Sequence, residues 1–323
     1  MKRIGFHASH EQFDPKELLR LARVAQDAGY DALSCSDHFH SWSIRQGQSG
    51  HAWSWLGAAM ATTALPAGVV TCPFGRYHPA VVAQAAATLA TMFPSRFWLA
   101  VGSGEALNEH ITGRPWPDKP TRNRMLLESV TVMRALWRGE EVDHRGAIRV
   151  DRARLHTLPT EPPLIFAAAL TTETAAWAGD WADGLITVSG PPGQLRPIAE
   201  AFRDAAGAAK PVIAQAKIAY AGPGQDGEPA ARAMAFEQWR TNVFESVIAA
   251  NVPTTAQFDA RGASVRPADM DGVVRISGDL GLHAAWLAQD FEQGADQVFL
   301  HNVGRNQEET LAAFARQVLP QLR

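Results

Sequence analysis

A chain of 323 residues, 46% hydrophobic and 20% charged, carries enough apolar material for a substantial core, which excludes an intrinsically disordered protein. Thirty Lys and Arg against 33 Asp and Glu, a formal charge of −3 with no long run of one sign, give no reason to expect a nucleic-acid partner. Two cysteines, Cys35 and Cys72, in no paired motif exclude a disulfide scaffold and fit a reducing cytoplasm. The opening MKRIGFHASHEQFDP returns to charge too early for a signal peptide, and no apolar run reaches the length of about 18 residues that a membrane span needs. The expectation is a cytoplasmic protein. Ten Trp against three Tyr is unusual, and because tryptophan often lines ligand sites the ratio needs an explanation.

In chain order, RIGFHA reads as a strand, and Pro15 to Ala28 shows apolar residues at helical spacing stopped by Gly29. YDALS (30–34) is a strand, Trp53 to Thr62 a helix, AGVVTC (67–72) a strand and Pro79 to Met92 a helix with proline in its first turn. FWLAV (97–101), the helix Arg122 to Trp137, LIFAAA (164–169), the short helix Thr172 to Ala178 and GLITV (184–188) repeat the alternation. Helices over Leu195 to Ala209, Ala230 to Ala249 and Leu282 to Gln293 follow, with strands VIAQAKIAY (212–220) and QVFLH (297–301) and a closing helix from Gln307. Strands that alternate with helices require a parallel sheet, because parallel neighbours need long crossovers. Eight such units predict a closed (β/α)8 TIM barrel, residues 1–323 as one domain, with inserted segments near 138–162 (a hairpin) and 222–281 (a helix between Gly/Pro-rich loops). The competing dinucleotide fold lacks its glycine fingerprint, since HASHEQFDP follows the first strand.

Barrel active sites lie in the loops after the strands. After strand one come His7, Ser9 and His10; after strand two, Asp37, His38, His40 and Trp42; after strand four, the run GSGEALNE with Ser103, Gly104, Glu105 and Asn108. An imidazole beside a carboxylate can exchange a proton near neutral pH, although the same pair occurs in ordinary polar loops. The glycines permit close backbone approach by a flat or phosphorylated ligand or make a plain turn, and Glu105 is a second acid or a helix cap. Asp37, His38 and His40 with His301 could form a metal centre. His7 and His10, however, point apart where barrel metal sites place a paired H-x-H, so no metal is expected.

The stretches CSDHFHSWSIRQGQSGHAWSWLGAA (35–59), VVTCPFGRYHPAVVAQAAATLATMFPSRFWLAVGSGEALNE (69–109) and VFLHNVGRNQEETLAAF (298–314) resemble the luciferase-like barrel oxidoreductases, nearest the group of deazaflavin-dependent glucose-6-phosphate dehydrogenases. The resemblance implies coenzyme F420 or FMN in the barrel mouth, a small-molecule substrate over its ring, hydride transfer between them, and a homodimer. It implies catalytic roles for His38 (proton transfer), Glu105 (acid) and Trp42 (substrate wall). For the cofactor it implies Asp37, Ser103, Gly104 and Asn108, together with Val69, Val70 and Cys72 at the end of strand three, where relatives carry a non-proline cis peptide. Ala168, Ala169 and Leu170 stand where the dehydrogenases have a phosphate-cradling Gly-Gly-Pro turn, which leaves helix N–H groups near Thr171 and Thr172 to hold phosphate. Val188, Ser189, Gly190 and Pro191 replace a T-S-G-K substrate-phosphate segment, which argues against a sugar phosphate.

The reading is therefore an F420- or FMN-dependent oxidoreductase acting on a small, weakly polar substrate. An FMN-dependent monooxygenase using O2 and a metal-dependent barrel hydrolase are the alternatives. Trp42, Trp53, Trp55 and Trp116 are expected around the ligands; Trp177, Trp181, Trp239 and Trp286, at helical spacing, are expected in packing.

Overall fold

The computed structural model describes residues 2–190, 193–222 and 227–323; Pro191 and part of the 222–281 insertion lie outside the described residues. The strands are β1 (Arg3–Ala8), β2 (Ala32–Ser36), β3 (Ala67–Thr71), β4 (Phe97–Val101), β5 (Val142–Arg145), β6 (Arg149–Ala153), β7 (Leu164–Ala168), β8 (Gly184–Ser189), β9 (Val212–Ala219), β10 (Arg275–Ile276) and β11 (Gln297–Asn302). Eight of them pair in parallel in the order β1-β2-β3-β4-β7-β8-β9-β11, and β11 closes on β1. Helices cover the outside, so this is the expected (β/α)8 barrel. All eight barrel strands fall on the eight runs read from the sequence.

Local chemistry places the helix ends. Asp14 accepts from the backbone N–H groups of Lys16 and Glu17 at the start of the helix Pro15–Asp27, and Gly29, at φ +84°, ends it. The helix Lys119–Trp137 starts three residues before the predicted Arg122, because Asp118 caps it through the Thr121 N–H and Pro120 fits the first turn. The predicted helix Ala230 to Ala249 is instead three pieces: Glu228–Trp239, a 3-10 turn Arg240–Asn242, and Ser246–Ala249. Thr241, Asn242 and Val243 are poor helix formers, and Thr241 is buried, so tertiary packing overrides the periodicity there.

The lower barrel interior is an apolar plug of Trp98, Phe166, Phe299, Ile186 and Ile213. Glycines make room for its rings: a Cβ on Gly68 would sit 2.0 Å from Trp98 Cε2, and one on Gly5 would sit 2.2 Å from Phe299 Cε1. Above the plug the inward side chains become polar.

Within 138–162, β5 and β6 form an antiparallel hairpin, tied to the helix Lys119–Trp137 by Glu128, which accepts from His144 Nε2 at 2.9 Å and the Ile148 N–H at 3.0 Å. Segment 227–281 adds a helical cap with its own core, in which Ala235, Trp239, Phe258 and Met270 pack on Trp42 and Leu107. Among the described residues no helix is long and apolar enough to cross a membrane.

Candidate active site

The carboxyl ends of the barrel strands open into a cavity of about 730 Å³, within the size range of small-molecule and cofactor sites. Its wall holds every site residue expected from the sequence except Val69. Strand alternation sends Val69 outward into the buried layer between barrel and helices, whereas Val70 and Cys72 face the cavity.

The loop after β2 brings His38 to the centre. Its Nδ1 lies against Glu11 Oε1, and its Nε2 lies 3.8 Å from Glu105 Oε2. Glu11 is buried, and its other oxygen accepts from Ser9 Oγ at 3.0 Å. Burial alone would push the Glu11 carboxyl up, but the His38 charge and contact hold it far below the usual carboxylate range. Burial pushes the His38 imidazole down, and Glu11 more than reverses that, so its pKa is raised. At Glu105 desolvation dominates and the pKa is raised. Three groups thus share one cavity: a sealed carboxylate, an imidazole biased toward its charged form, and a carboxyl biased toward its neutral form. Trp42 stands edge-on to His38, ring centroids 5.2 Å apart at 90°.

Asp37 lines the cavity but is saturated by protein donors: Trp53 Nε1 at 3.1 Å, Thr71 Oγ1 at 2.8 Å, Tyr77 OH at 3.2 Å and the Arg76 guanidinium at 3.3 Å. Asn108 accepts from the N–H groups of Phe39 and His40 and donates to Glu105 Oε2 at 3.3 Å, so it braces the loops after β2 and β4 against each other. Glu109, at the end of the same run, has its pKa pushed up to about 7 by burial despite the adjacent Arg76. Gly104 holds φ +74°, and a Cβ there would meet Cys72 Sγ at 2.8 Å, so this wall tolerates no side chain.

The peptide bonds behind this wall are not as expected. All described peptide bonds are trans, including those of Val69, Val70 and Cys72. The ladder stays regular through Val70↔Ala100 and Thr71↔Val101, so β3 reaches the cavity as an ordinary strand.

At the other end, Lys119 Nζ donates to Ser103 Oγ at 2.8 Å, and Arg122 stacks on Trp116 with its Nε buried and unpartnered. Thr171 caps the helix Thr172–Gly179 beside Ala168, Ala169 and Leu170, and this helix N-terminus borders the same end of the cavity. Two cations and a helix N-terminus gather at this end, with Asp118 and Glu173 beside them, and the cations and helix N–H groups are a donor set that would fit a cofactor phosphate. Ser189 faces away, accepting from Arg275 at 2.6 Å and donating to Asp290 at 2.5 Å.

Glu11, Lys119, Arg122, Lys217 and Trp239 escaped the sequence reading. Glu11 was discoverable as the acid in the loop after β1 that does not cap the following helix, a role Asp14 takes. Lys217 and Trp239 carried no motif. Trp239, expected in packing, lines the cavity, while Trp53, Trp55 and Trp116 do not, so Trp42 and Trp239 are its tryptophan walls. Among the described residues no group of three His, Cys, Asp or Glu side chains is placed to hold a metal: His40 Nδ1 faces the Leu107 carbonyl, and Asp37 is taken by Arg76.

Residues 1–240 match the family model described as luciferase-like monooxygenase. The chain is 34% identical to an F420-dependent glucose-6-phosphate dehydrogenase of Nakamurella multipartita, with 99% of this chain and 96% of that protein covered. It is 32% identical to the enzyme of the same name from Microbacterium testaceum, covering 99% and 97%. A solved F420-dependent secondary alcohol dehydrogenase, in complex with an F420-acetone adduct, superposes with TM-score 0.91 at 30% identity over 100% of both chains. A monooxygenase from Streptomyces bottropensis, at 20% identity and TM-score 0.76, shares the fold. A family match over most of the chain and relatives aligned end to end thus agree with the barrel, and this chain is an oxidoreductase that belongs to the luciferase-like family.

Proposed function

We propose that the protein uses a cofactor of the F420 or FMN type, F420 being favoured by its relatives, to move a hydride to or from a small alcohol or carbonyl compound with a weakly polar body. When bound, such a ring takes or gives the hydride. The observation that carries the reading is the Glu11–His38–Glu105 arrangement within one cavity. Glu11 holds Nδ1 and leaves Nε2 facing the substrate, so His38 in its neutral form takes the alcohol proton at Nε2 as the carbon loses its hydride, and becomes the imidazolium that Glu11 stabilises. Glu105, biased toward its neutral form by burial, faces the same space. Trp42 and Trp239 flank the substrate body and exclude water. Lys119, Arg122 and Ser103 would hold the cofactor phosphate.

A sugar phosphate is disfavoured because Ser189 and Arg275 are spent on Asp290 rather than turned into the cavity. Titration of the purified protein with F420, FMN and FAD, followed by flavin or deazaflavin fluorescence, tests the cofactor. Tight F420 binding together with loss of alcohol oxidation in His38→Ala is expected. Unchanged turnover in that variant overturns the role of His38, and FMN binding with O2 consumption would make the enzyme a monooxygenase.

A further inference from the structure

The cavity floor is a polar layer above the apolar plug. Pairing places His7 opposite Ser34 and His301 opposite Lys217, and the rings of His7 and His301 lie 4.6 Å apart. His7 is satisfied, its ring nitrogens meeting Ser34 Oγ at 2.9 Å and Ser36 Oγ at 3.3 Å. His301 is not: it is 2% exposed and both its ring nitrogens are buried without a partner. Lys217 lines the cavity beside it and makes no hydrogen bond or ion pair with any described residue; its Nζ lies 5.7 Å from the Trp239 ring centre, and the Glu105 carboxylate acts on it only through space.

Each carboxylate nearby is engaged elsewhere. Glu11 is held by His38 and Ser9, Asp37 and Glu109 by Arg76, and Glu105 faces His38. Burial lowers the Lys217 ammonium to about 8 and keeps the His301 imidazole neutral, so at pH 7 the floor presents one cation and one imidazole N–H. A desolvated cation whose one counter-charge, Glu105, acts only through space and is shared with His38 is costly, which points to an anion supplied by a ligand.

We propose that Lys217 and His301 form a subsite for a carboxylate of the substrate, so that the enzyme acts on a small hydroxy acid or the corresponding keto acid. This rests on the oxidoreductase reading and narrows its substrate class. The ammonium and the imidazole N–H are two donors for the two oxygens of a planar carboxylate. The weakly polar carbon body lies between Trp42 and Trp239, and the hydroxyl reaches His38. In the reaction the C–H bond breaks toward the cofactor ring with its electron pair, the O–H proton passes to His38 Nε2, and the C–O bond becomes a carbonyl.

The test uses cofactor-loaded protein with butanoate, 1-butanol and 2-hydroxybutanoate as probes, and reads binding from tryptophan quenching. Lys217→Met should weaken butanoate about 10- to 100-fold, the loss expected of a charged hydrogen bond, and leave 1-butanol and cofactor affinity unchanged. Lys217→Arg should retain most of the butanoate affinity. For 2-hydroxybutanoate the Met variant should lose activity through KM more than kcat. Equal weakening of butanoate and 1-butanol overturns the proposal, as does lost cofactor affinity with butanoate binding intact. His301→Gln, measured the same way, decides the matter if the Met variant does not fold. Wild-type protein that oxidises 1-butanol but binds butanoate no better overturns the subsite alone. Unaltered turnover in His38→Ala overturns the proton-transfer role of His38 beneath it and leaves the Lys217 arm of the test standing.

Discussion

His38 Nδ1 is held against Glu11 Oε1, so that only Nε2 of the imidazole faces Glu105 and the open cavity. Glu11 sits on the loop after β1 and His38 on the loop after β2, and the adjacency of these two strands in the barrel is what joins them. A buried carboxylate behind an imidazole orients the ring and raises its basicity.

Glu11→Gln removes the counter-charge that raises the His38 pKa. The imidazole should then titrate at lower pH, and the pH limb of alcohol oxidation that requires neutral His38 should move to lower pH with it. Loss of an oriented base should lower kcat about 100-fold or more. Histidine NMR titration together with pH–rate profiles measures both effects, and an unmoved His38 titration would show that Glu11 is not its partner.

The same pair makes stability depend on pH. His38 has a raised pKa, so its contribution is full below its unfolded value near about 6.5 and is lost as pH rises through the folded value. Glu11 has a depressed pKa, so its contribution is present above its unfolded value near about 4.5 and is lost as pH falls. The melting temperature of the wild type should therefore exceed that of Glu11→Gln most between about pH 4.5 and 6.5. Calorimetry across pH 4 to 9 checks the window.

Lys119→Ala and Arg122→Ala should each weaken cofactor binding about 10- to 100-fold, because each removes one charged donor from the set proposed for the cofactor phosphate. The loss should shrink at high salt for the partly exposed Lys119. Fluorescence titration measures this without any assay of turnover, and retained affinity in the double variant would place the cofactor phosphate elsewhere.

Gly68→Ala forces a Cβ to within 2.0 Å of the Trp98 ring inside a closed barrel. Overpacking of this kind costs about 1–3 kcal/mol or more, so the urea midpoint should fall clearly. Gly193→Ala, where a Cβ meets nothing within 4 Å, controls for generic loss of glycine but carries the strain of φ +91°.

The barrel was legible because its signals are local. Alternating apolar runs, Gly29 after the first helix and Pro79 inside the third helical run each act within a few residues, and all eight barrel strands follow from them. The loops after β2 and β4 were legible for the same reason, since a barrel puts every post-strand loop at one mouth. Local signals fail where burial competes with propensity, as at Thr241, where the predicted long helix breaks.

By itself, then, the sequence determined the barrel, its mouth, and the presence there of His38, Glu105 and Trp42. Tertiary structure alone decided which groups meet. Strand closure brought Glu11 behind His38 and set Lys217 beside His301, residues separated by 84 positions yet paired in register on β9 and β11. The helical cap turned Trp239 into the cavity, and the pleat of β3 turned Val69 out of it. Proton transfer and charge recognition depend on separations of a few ångström, and in a closed barrel those separations are set by strand register rather than by spacing along the chain.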